Sequence, residues 1–469
     1  GADWRGLEEC TMRDVRLEDL HFDGCVSTQQ HPDGVQPWRL PVKDVELFHP
    51  DLVRSAGGAS GVRIRFRSDT GSVRLRVRRL RTYCRYDYDL FVDGAFVASH
   101  VEDPEHPIAL AGLSEVPLRF PEAMARAGDE GSELMITFGD AAPAASREER
   151  VFELWLSTAG PQVVTGFWLD EGASLAPAPD PRPLWVTHGS SISHGTGFDA
   201  IFSGPGCPAG SARSPSRSWP AVAAREAGLN LLNLGYSGQC HLDQAVARTI
   251  RDLDGVAAIS LKLGINVHNY GSLSLRSFAQ AALGFLATVR DGHPTVPLLV
   301  LSPVHGSGWR EDGSCSALIV APDREAVDPR YPTLSQMRTE LERVVGLLQR
   351  RGDDRIAYAS GLDLFGPDDF AAGLAPDQLH PSPDGYELMG QRFAQLAFGP
   401  RGRLLPGRLP PAPTAVPAKA AAGAWRTSSS GAAVATAALG RRGFRCLAEA
   451  LSLASRRSRV HRAGGGPRA

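Results

Sequence analysis

The sequence LWVTHGSSISHG occupies residues 184–195 and decides the fold of the larger part of the chain. Its first four residues are apolar or β-branched, which is typical of a buried strand, and Gly189, Ser190 and Ser191 follow closely. A Gly-Ser-Ser turn at the carboxyl end of a strand exposes a hydroxyl over the sheet. It also aims the backbone N–H of the serine at an incoming carbonyl oxygen. The stretch therefore predicts a first strand that delivers Ser191 to the edge of a sheet.

Apolar strands alternate with amphipathic helices on the carboxyl side of this stretch. Helices are predicted near residues 219–227, over 275–289 and from Thr333, where Gln336 three residues later completes a capping box. The apolar strand candidates are residues 184–187, 230–234, 256–263, 297–302 and 355–360. This alternation predicts an α/β fold with a doubly wound parallel sheet, in which ligands bind at the carboxyl ends of the strands.

The chain before residue 176 has a different pattern, in which apolar and polar residues alternate with a period of two. Residues 61–68 and 73–78 place arginines on one face and apolar side chains on the other. Further strands are predicted at 88–92, 134–138, 151–156 and 163–169, with Asp93-Gly94 as a hairpin turn. We predict an antiparallel, jelly-roll-like β-sandwich over residues 1–175, with Arg63, Arg65 and Arg67 on a solvated face or, alternatively, a binding surface.

Two further boundaries follow from composition. Residues 176–183 read APAPDPRP, and prolines this dense predict a linker between domains. The second domain then covers residues 184–399. Residues 400–469 are rich in Ala, Gly, Pro, Ser and Arg, so we expect a disordered basic tail. The alternative for the tail is a short basic amphipathic helix near Phe444.

Charge and composition exclude several classes of function. The tail holds twelve Arg and one Lys against one Glu, a charge of +12, so the rest of a chain of net charge −2 carries −14. An acidic body argues against nucleic acid as a partner. No window holds 18 apolar residues, so no membrane span is expected. Residues 1–20 lack the apolar core of a signal peptide, so we expect that a signal peptide is absent or was already removed. We expect a cytoplasmic protein.

The seven cysteines are widely spaced and form no C-x-x-C pair, so neither a disulfide framework nor a zinc ribbon is predicted. We expect reduced thiols and no metal site. The G-x-S-x-G elbow of ordinary α/β-hydrolases is also missing.

Three later features add chemistry to Ser191. Gly238 follows the second strand of the α/β region and lets backbone approach an oxyanion closely, and Asn266 follows the third strand and can donate a side-chain N–H to the same oxyanion. Asp377 precedes His380 by three residues, a spacing at which a carboxylate can orient an imidazole. The set predicts nucleophilic catalysis by Ser191.

Ser, Gly, Asn and His in this order resemble the SGNH hydrolases, also called the GDSL esterase and lipase family. The resemblance covers residues 184–399. It implies that Ser191 is the nucleophile, that Ser191, Gly238 and Asn266 form the oxyanion hole, and that Asp377 and His380 complete a catalytic triad. Two positions depart from the family pattern, because Ser190 and Val267 stand where the family usually or often has Asp.

A β-sandwich before such a domain, with GQCHLD at 238–243 and GIN at 264–266, resembles the subgroup that includes a salicylyl acyltransferase of tetracycline-type polyketide biosynthesis. The family resemblance implies a serine esterase acting on a small-molecule ester or thioester, with no cofactor. The alternatives are an acyltransferase that uses acyl-CoA as a substrate and a hydroxyl as acceptor, and a carbohydrate deacetylase or glycan-binding protein. The oligomeric state is left open.

Three residues near the predicted site are substrate-binding candidates: His194, His241 and Trp219. For the two histidines the alternative is a structural role. A metal cluster including His188 is disfavoured, because no H-x-x-x-H pair occurs there. For Trp219 the alternative is packing of its own helix.

Overall fold

The computed structural model describes residues 12–80, 86–100, 132–139, 148–196, 214–306, 310–311, 332–376 and 378–409. They all belong to one compact unit that ends at Ala412. Asp377 and residues 410–469 of the predicted tail lie outside the described residues. Within the described helices, none is both long and apolar enough to cross a membrane.

The N-terminal region contains two antiparallel sheets. The first has the strand order β3-β4-β11-β6-β9, with β1 also paired to β11. Its strands are β1 (Met12–Asp14), β3 (Ser27–His31), β4 (Gly34–Trp38), β6 (Val73–Arg79), β9 (Ser132–Phe138) and β11 (Gln162–Asp170). The second has the order β12-β5-β10-β7-β8, with β2 also paired to β5. Its strands are β2 (Phe22–Asp23), β5 (Arg63–Ser68), β7 (Tyr88–Val92), β8 (Ala95–His100), β10 (Arg150–Trp155) and β12 (Ala176–Pro177).

The apolar faces of these sheets form one core. Phe66 stacks on Phe152 with ring centroids 5.0 Å apart and meets Phe167 edge-on at 5.4 Å, and Leu75 and Ile136 are fully buried in the same cluster. The predicted hairpin is present between β7 and β8. Asp93 and Gly94 both have positive φ there, as a type I′ turn requires. The predicted antiparallel sandwich is therefore confirmed.

The α/β region contains a five-stranded parallel sheet with the order β14-β13-β15-β16-β17. These strands are β13 (Leu184–Gly189), β14 (Asn230–Gly235), β15 (Val256–Lys262), β16 (Leu298–Leu301) and β17 (Ile356–Ala359). The first strand in sequence is flanked by the second and the third, so the chain reverses direction across the sheet at β13. This confirms the predicted doubly wound sheet and places β13, the strand before Ser191, at its switch point.

Helices cover both faces of the parallel sheet. They are α2 (Ser191–His194), α3 (Trp219–Ala227), α4 (Gln244–Arg251), α5 (Ile265–Tyr270), α6 (Leu275–Gly292), α7 (Leu334–Arg350), α8 (Pro367–Ala371) and α9 (Pro383–Phe398), after α1 (Pro50–Ala56) in the N-terminal region. The predicted capping box is present, since the Gln336 backbone N–H donates to Thr333 Oγ1 at 3.1 Å and the Thr333 N–H donates to Gln336 Oε1 at 3.0 Å. Apolar residues at helical spacing on α6 and α7, such as Phe285 and Leu341, are fully buried against one face of the sheet.

The N-terminal region and the α/β region share their cores. Leu40, Phe48 and Leu52 pack in the same cluster as α4, α6 and α7, and Phe91 and Trp155 pack in the cluster of the opposite face of the sheet.

Arg63 differs from the solvated position that its alternation predicts. Its side chain is 1% exposed, donates to Asn230 Oδ1 at 2.6 Å and lies over the Trp155 ring at 5.0 Å. Arg65 is half-buried and Arg67 is exposed. The alternation placed Arg63, Arg65 and Arg67 correctly on one face of the sheet. β14 of the parallel sheet covers the end of that face at Arg63, which is why this arginine is buried.

The segment predicted as a linker is also packed. Ala176 and Pro177 pair with β5 as an edge strand, the place in a sheet where a missing proline N–H is tolerated. The Asp180 side chain is fully buried and lies 3.5 Å from Arg63. The body also continues beyond residue 399, because Leu404 is buried against the helical face that contains α9, and the Leu409 N–H donates to Phe398 O at 3.1 Å.

Candidate active site

Ser191 begins α2, directly after the first strand of the parallel sheet. Ser190 caps this helix, accepting a hydrogen bond from the Ile192 N–H at 3.4 Å. Gly189 is required at the end of the strand, because a Cβ there would collide with the Ser193 hydroxyl. The local sequence thus turns the chain sharply and leaves Ser191 in a site where it is 7% exposed.

His380 lies 189 residues later, in the turn before α9. Its Nε2 is 2.8 Å from Ser191 Oγ, and the residue is 4% exposed. The turn is anchored where the Ser382 N–H donates to Leu374 O at 2.7 Å, and Ser382 then caps α9 by accepting from the Gly385 N–H. The distance is within reach of direct proton transfer between a nucleophile and its base. The structure therefore brings together two residues that the sequence identified separately.

Asp377, the predicted orienting acid, lies outside the described residues. Its role stays a prediction.

Gly238 lies in a turn over residues 236–239. The Gln239 N–H donates to Tyr236 O at 3.0 Å, and Gly238 has φ +73°, as the third residue of a type II turn requires. A Cβ at Gly238 would lie 3.0 Å from the Tyr270 hydroxyl oxygen. The backbone conformation therefore favours glycine, and a side chain at this position would also press on the Tyr270 hydroxyl.

Asn266 lies in the first turn of α5, after the third strand of the parallel sheet. Its Oδ1 accepts a hydrogen bond from the Cys240 N–H at 3.0 Å, and the residue is 3% exposed. This contact fixes the amide orientation and leaves Nδ2 as its donor end. It also ties the Asn266 side chain to the loop that contains Gly238.

Ser191, Gly238 and Asn266 thus follow the carboxyl ends of β13, β14 and β15, which are neighbours in the sheet. Their backbone and amide N–H groups are the donor types of an oxyanion hole. Their use in binding an oxyanion stays a prediction.

The three substrate-binding candidates have different surroundings. His194 Nε2 lies 3.0 Å from Thr158 O, and its Nδ1 accepts from the Ser237 N–H at 3.3 Å. His241 Nε2 lies 3.0 Å from Gly238 O, its Nδ1 lies 2.9 Å from Ser272 Oγ, and its ring meets Tyr270 edge-on. Both histidines therefore contact the turn over residues 236–239, His194 at Ser237 and His241 at Gly238.

Trp219 is fully buried among aromatic rings, 4.8 Å from Phe393 and 6.0 Å from Trp185 between centroids. This placement favours the alternative that Trp219 packs its helix.

Burial controls the ionisation of the groups beneath the site. It lowers the pKa of His188 to about 4 and raises the pKa of the Cys240 thiol to about 12. His188 Nδ1 lies 2.7 Å from Leu234 O, and its ring stacks on Phe285. A thiol with so high a pKa is a poor nucleophile, which supports a packing role for Cys240. Burial also lowers the pKa of Lys262 to about 8.

Sequence reasoning missed Arg39, which lies in the N-terminal region and is fully buried. Its guanidinium donates to Gly58 O at 2.6 Å, Ser55 O at 2.7 Å and Asn233 O at 3.0 Å, and also to Gly235 O. Burial lowers its pKa to about 10. No local pattern marks this arginine, because its partners are brought to it by the fold.

Family comparisons match both parts of the chain. Residues 187–388 match the GDSL-like Lipase/Acylhydrolase family, and residues 20–115 match the N-terminal domain of SsfX3. The first match includes Ser191, Gly238, Asn266 and His380. No curated protein matches the chain.

Solved structures are similar over the same architecture. The salicylyl-acyltransferase SsfX3 from a tetracycline biosynthetic pathway is 25% identical with a TM-score of 0.62, over 81% of this chain and 95% of that one. A family two carbohydrate esterase from Clostridium thermocellum, in complex with cellohexaose, is 16% identical with a TM-score of 0.50, over 80% and 97%. At that identity the second similarity concerns the fold alone.

Proposed function

We propose that this chain is a serine enzyme that acts through an acyl-serine intermediate. The premise is its match to the GDSL-like Lipase/Acylhydrolase family, which follows a match to the N-terminal domain of SsfX3. The observation that carries the proposal is the 2.8 Å contact between Ser191 Oγ and His380 Nε2 in a nearly buried site. The substrate class is an ester or thioester of a small molecule.

His380 acts first as a general base. A serine hydroxyl is a weak nucleophile at neutral pH, so Nε2 takes the proton as Oγ attacks the acyl carbonyl. Asp377 orients the imidazole and stabilises its charged form in this proposal. His380 then returns the proton to the leaving oxygen or sulfur atom, which departs and leaves the acyl group on Ser191.

The negative charge that develops on the carbonyl oxygen needs fixed donors. We assign them to the N–H groups of Ser191 and Gly238 and to Asn266 Nδ2. A preorganised donor of this kind is worth about 2.7–4 kcal/mol of barrier, which is about 10²–10³-fold in rate. In an esterase, water attacks the acyl carbonyl and gives its proton to His380 Nε2. His380 returns that proton to Ser191 Oγ as the acyl–Oγ bond breaks, which releases the acid.

An acyltransferase is the second candidate, and the similarity to the salicylyl-acyltransferase SsfX3 favours it. The acyl-enzyme is the same, but the hydroxyl of an acceptor attacks it in place of water. The sequence similarity to carbohydrate esterases is too low to argue for a deacetylase in the same way.

Intact-mass labelling with a fluorophosphonate tests the nucleophile. We expect one adduct on the wild-type chain and none on Ser191→Ala. Ser193→Ala is a matched control, because Ser193 lies on the same short helix and is also buried. It should retain the adduct. Labelling of Ser191→Ala, or an unlabelled wild-type chain, would contradict the proposal.

Partitioning then separates esterase from acyltransferase. With one acyl donor held constant, product is measured as free acid and as transferred ester while the acceptor alcohol concentration rises. An esterase releases mainly free acid at every acceptor concentration. An acyltransferase forms more transferred ester as the acceptor concentration rises, until the acceptor site is saturated.

A further inference from the structure

We propose that His194 is a positioning residue that holds the oxyanion turn over residues 236–239 in place, and that Arg39 and Thr158 of the N-terminal region hold His194. The inference rests on the proposed function, since it concerns the donor at Gly238. It assigns to the N-terminal region a direct part in the geometry of the catalytic site.

The hydrogen bonds of His194 define its tautomer. The Ser237 N–H donates to Nδ1 at 3.3 Å, and Arg39 Nη2 lies 3.4 Å from the same nitrogen. Both groups are donors, so Nδ1 carries no proton. Nε2 carries it and donates to Thr158 O at 3.0 Å. Both ring nitrogens are thereby occupied by contacts that link the two parts of the chain.

The contact with Ser237 lies at a critical point of the oxyanion turn. Ser237 is the second residue of the turn and Gly238 the third, so the peptide between them carries the Gly238 N–H. The turn is closed by only one hydrogen bond of its own, from the Gln239 N–H to Tyr236 O. The bond to His194 Nδ1 adds a fixed point one residue before the donor and opposes tilting of that peptide.

Arg39 holds the end of β14, the strand that leads into the oxyanion turn. It donates to the carbonyls of Asn233 and Gly235 at the end of β14, and to those of Ser55 and Gly58 in the N-terminal region. The Tyr236 hydroxyl returns a bond to Arg39 O at 2.7 Å. The strand that leads into the oxyanion turn is therefore bound to the N-terminal region at several points.

The same network reaches the nucleophile helix. The Ser60 hydroxyl donates to His194 O at 2.6 Å, and Asn233 Nδ2 donates to Ser193 O at 2.8 Å. His194 is the last residue of the helix that begins with Ser191. Through it, one set of contacts holds the nucleophile and the Gly238 donor at a fixed separation.

Two conservative variants separate the bonds of His194. In Asn the side-chain oxygen occupies the position of Nδ1 along the side chain, so His194→Asn retains an acceptor for the Ser237 N–H and loses the donor to Thr158 O. In Gln the terminal amide occupies the position of Nε2, so His194→Gln retains the donor and loses the acceptor. His194→Asn loses the one neutral hydrogen bond to Thr158 O, whereas His194→Gln loses the acceptor of both the Ser237 N–H and Arg39 Nη2. His194→Gln should therefore be the less stable variant, and kcat is compared at a temperature where both variants are folded.

We expect His194→Gln to lower kcat by about 10- to 100-fold with KM for a small ester changed less than about threefold, because a displaced donor costs less than the 10²–10³-fold of a deleted one. His194→Asn, which retains the acceptor for the Ser237 N–H and loses only the bond to Thr158 O, should lower kcat less than His194→Gln does. Equal kcat values for the two variants would overturn the proposal. Both should still reach one fluorophosphonate adduct per chain, whereas an unlabelled wild type would mean that the proposed function itself is wrong.

Ser237→Pro tests the same bond from the other side and covers the case in which His194→Gln does not fold. Proline is favoured at the second position of a type II turn, so the turn is retained while the N–H that donates to His194 is removed. Its kcat should fall like that of His194→Gln, and Ser237→Ala, which retains the N–H, should match wild type. A wild-type kcat for Ser237→Pro would overturn the proposal.

Discussion

Replacement of Asn266 by Ala tests the oxyanion hole, because Asn266 is the one proposed donor that a side-chain substitution removes. The side chain has a structural contact and a proposed catalytic one, and stability and kcat report on them separately. Its Oδ1 accepts from the buried Cys240 N–H, and its Nδ2 is the proposed oxyanion donor. Ala removes both. The orphaned N–H should cost about 1–3 kcal/mol of unfolding free energy, and the lost donor should raise the barrier by about 2.7–4 kcal/mol. We therefore expect kcat to fall by about 10²–10³-fold.

Asn269→Ala is the matched control for this prediction. Asn269 lies on the same helix, is 2% exposed, and accepts a hydrogen bond from Arg310 Nη1 at 2.6 Å. A bond to a charged group is worth about 1.5–3 kcal/mol, so the control should lose as much stability as Asn266→Ala. Its kcat should stay within about threefold of wild type, because it provides none of the proposed donors.

The assay combines urea unfolding with ester hydrolysis at saturating substrate, at a temperature where both variants are folded. If Asn266→Ala lost stability like its control but lost less than about tenfold in kcat, Nδ2 would not be an oxyanion donor. A pair of variants with equal losses in kcat would refute the reasoning in the same way.

Three further predictions concern stability and the extent of the functional unit. Arg63→Met should lower the unfolding free energy by about 3–5 kcal/mol in urea titrations, because it leaves the buried carboxylates of Glu153 and Asp180 without one of their partners; a loss below about 1 kcal/mol would contradict a structural role for this arginine. The pKa of His188 is about 4 in the folded chain and about 6.5 in the unfolded chain. The neutral imidazole therefore contributes fully to the free energy of unfolding above pH 6.5, and this contribution is lost as the pH falls toward 4. Between pH 6.5 and pH 4 the unfolding free energy of wild type should therefore fall by about 3 kcal/mol more than that of His188→Phe. Parallel plots of unfolding free energy against pH would show that His188 does not have the lowered pKa. Truncation after Ala412, where the compact unit ends, should leave kcat and the thermal midpoint unchanged, whereas truncation after residue 399 should lower the midpoint, since it removes the buried Leu404.

The features that sequence predicted well depend on local chemistry. The β13 turn needs Gly189 because a side chain has no room there, and the capping box at Thr333 needs only residues within one turn of helix. Alternation of apolar and polar residues predicted strands in both antiparallel sheets from residue 61 onward, since each of these strands carries its own pattern of burial, but it did not predict the short strands before residue 39. The order of Ser191, Gly238, Asn266 and His380 predicted a common site because carboxyl ends of parallel strands meet at one edge of a sheet.

The features that sequence missed depend on what covers a residue. Arg63 alternates with apolar neighbours like any exposed arginine, and only the approach of Asn230 and Asp180 makes it a buried group. Arg39 bonds to carbonyls that are about 16 to 196 residues away along the chain. A backbone carbonyl has no sequence signature, so a buried arginine that binds four of them cannot be recognised by pattern.

These contacts also bear on what the N-terminal region does. A detachable substrate-binding module would meet the α/β region through a small polar surface, but here Leu40 and Phe48 lie in one core of the parallel sheet and Phe91 lies in the other. Removing the N-terminal region would expose both cores and leave the carbonyls of Asn233 and Gly235 without Arg39. Loss of activity on such a deletion would therefore follow from misfolding alone and would give no information about substrate binding. Point variants at His194 and Ser237 leave both cores intact, so they can separate the positioning of the catalytic site from the stability of the fold.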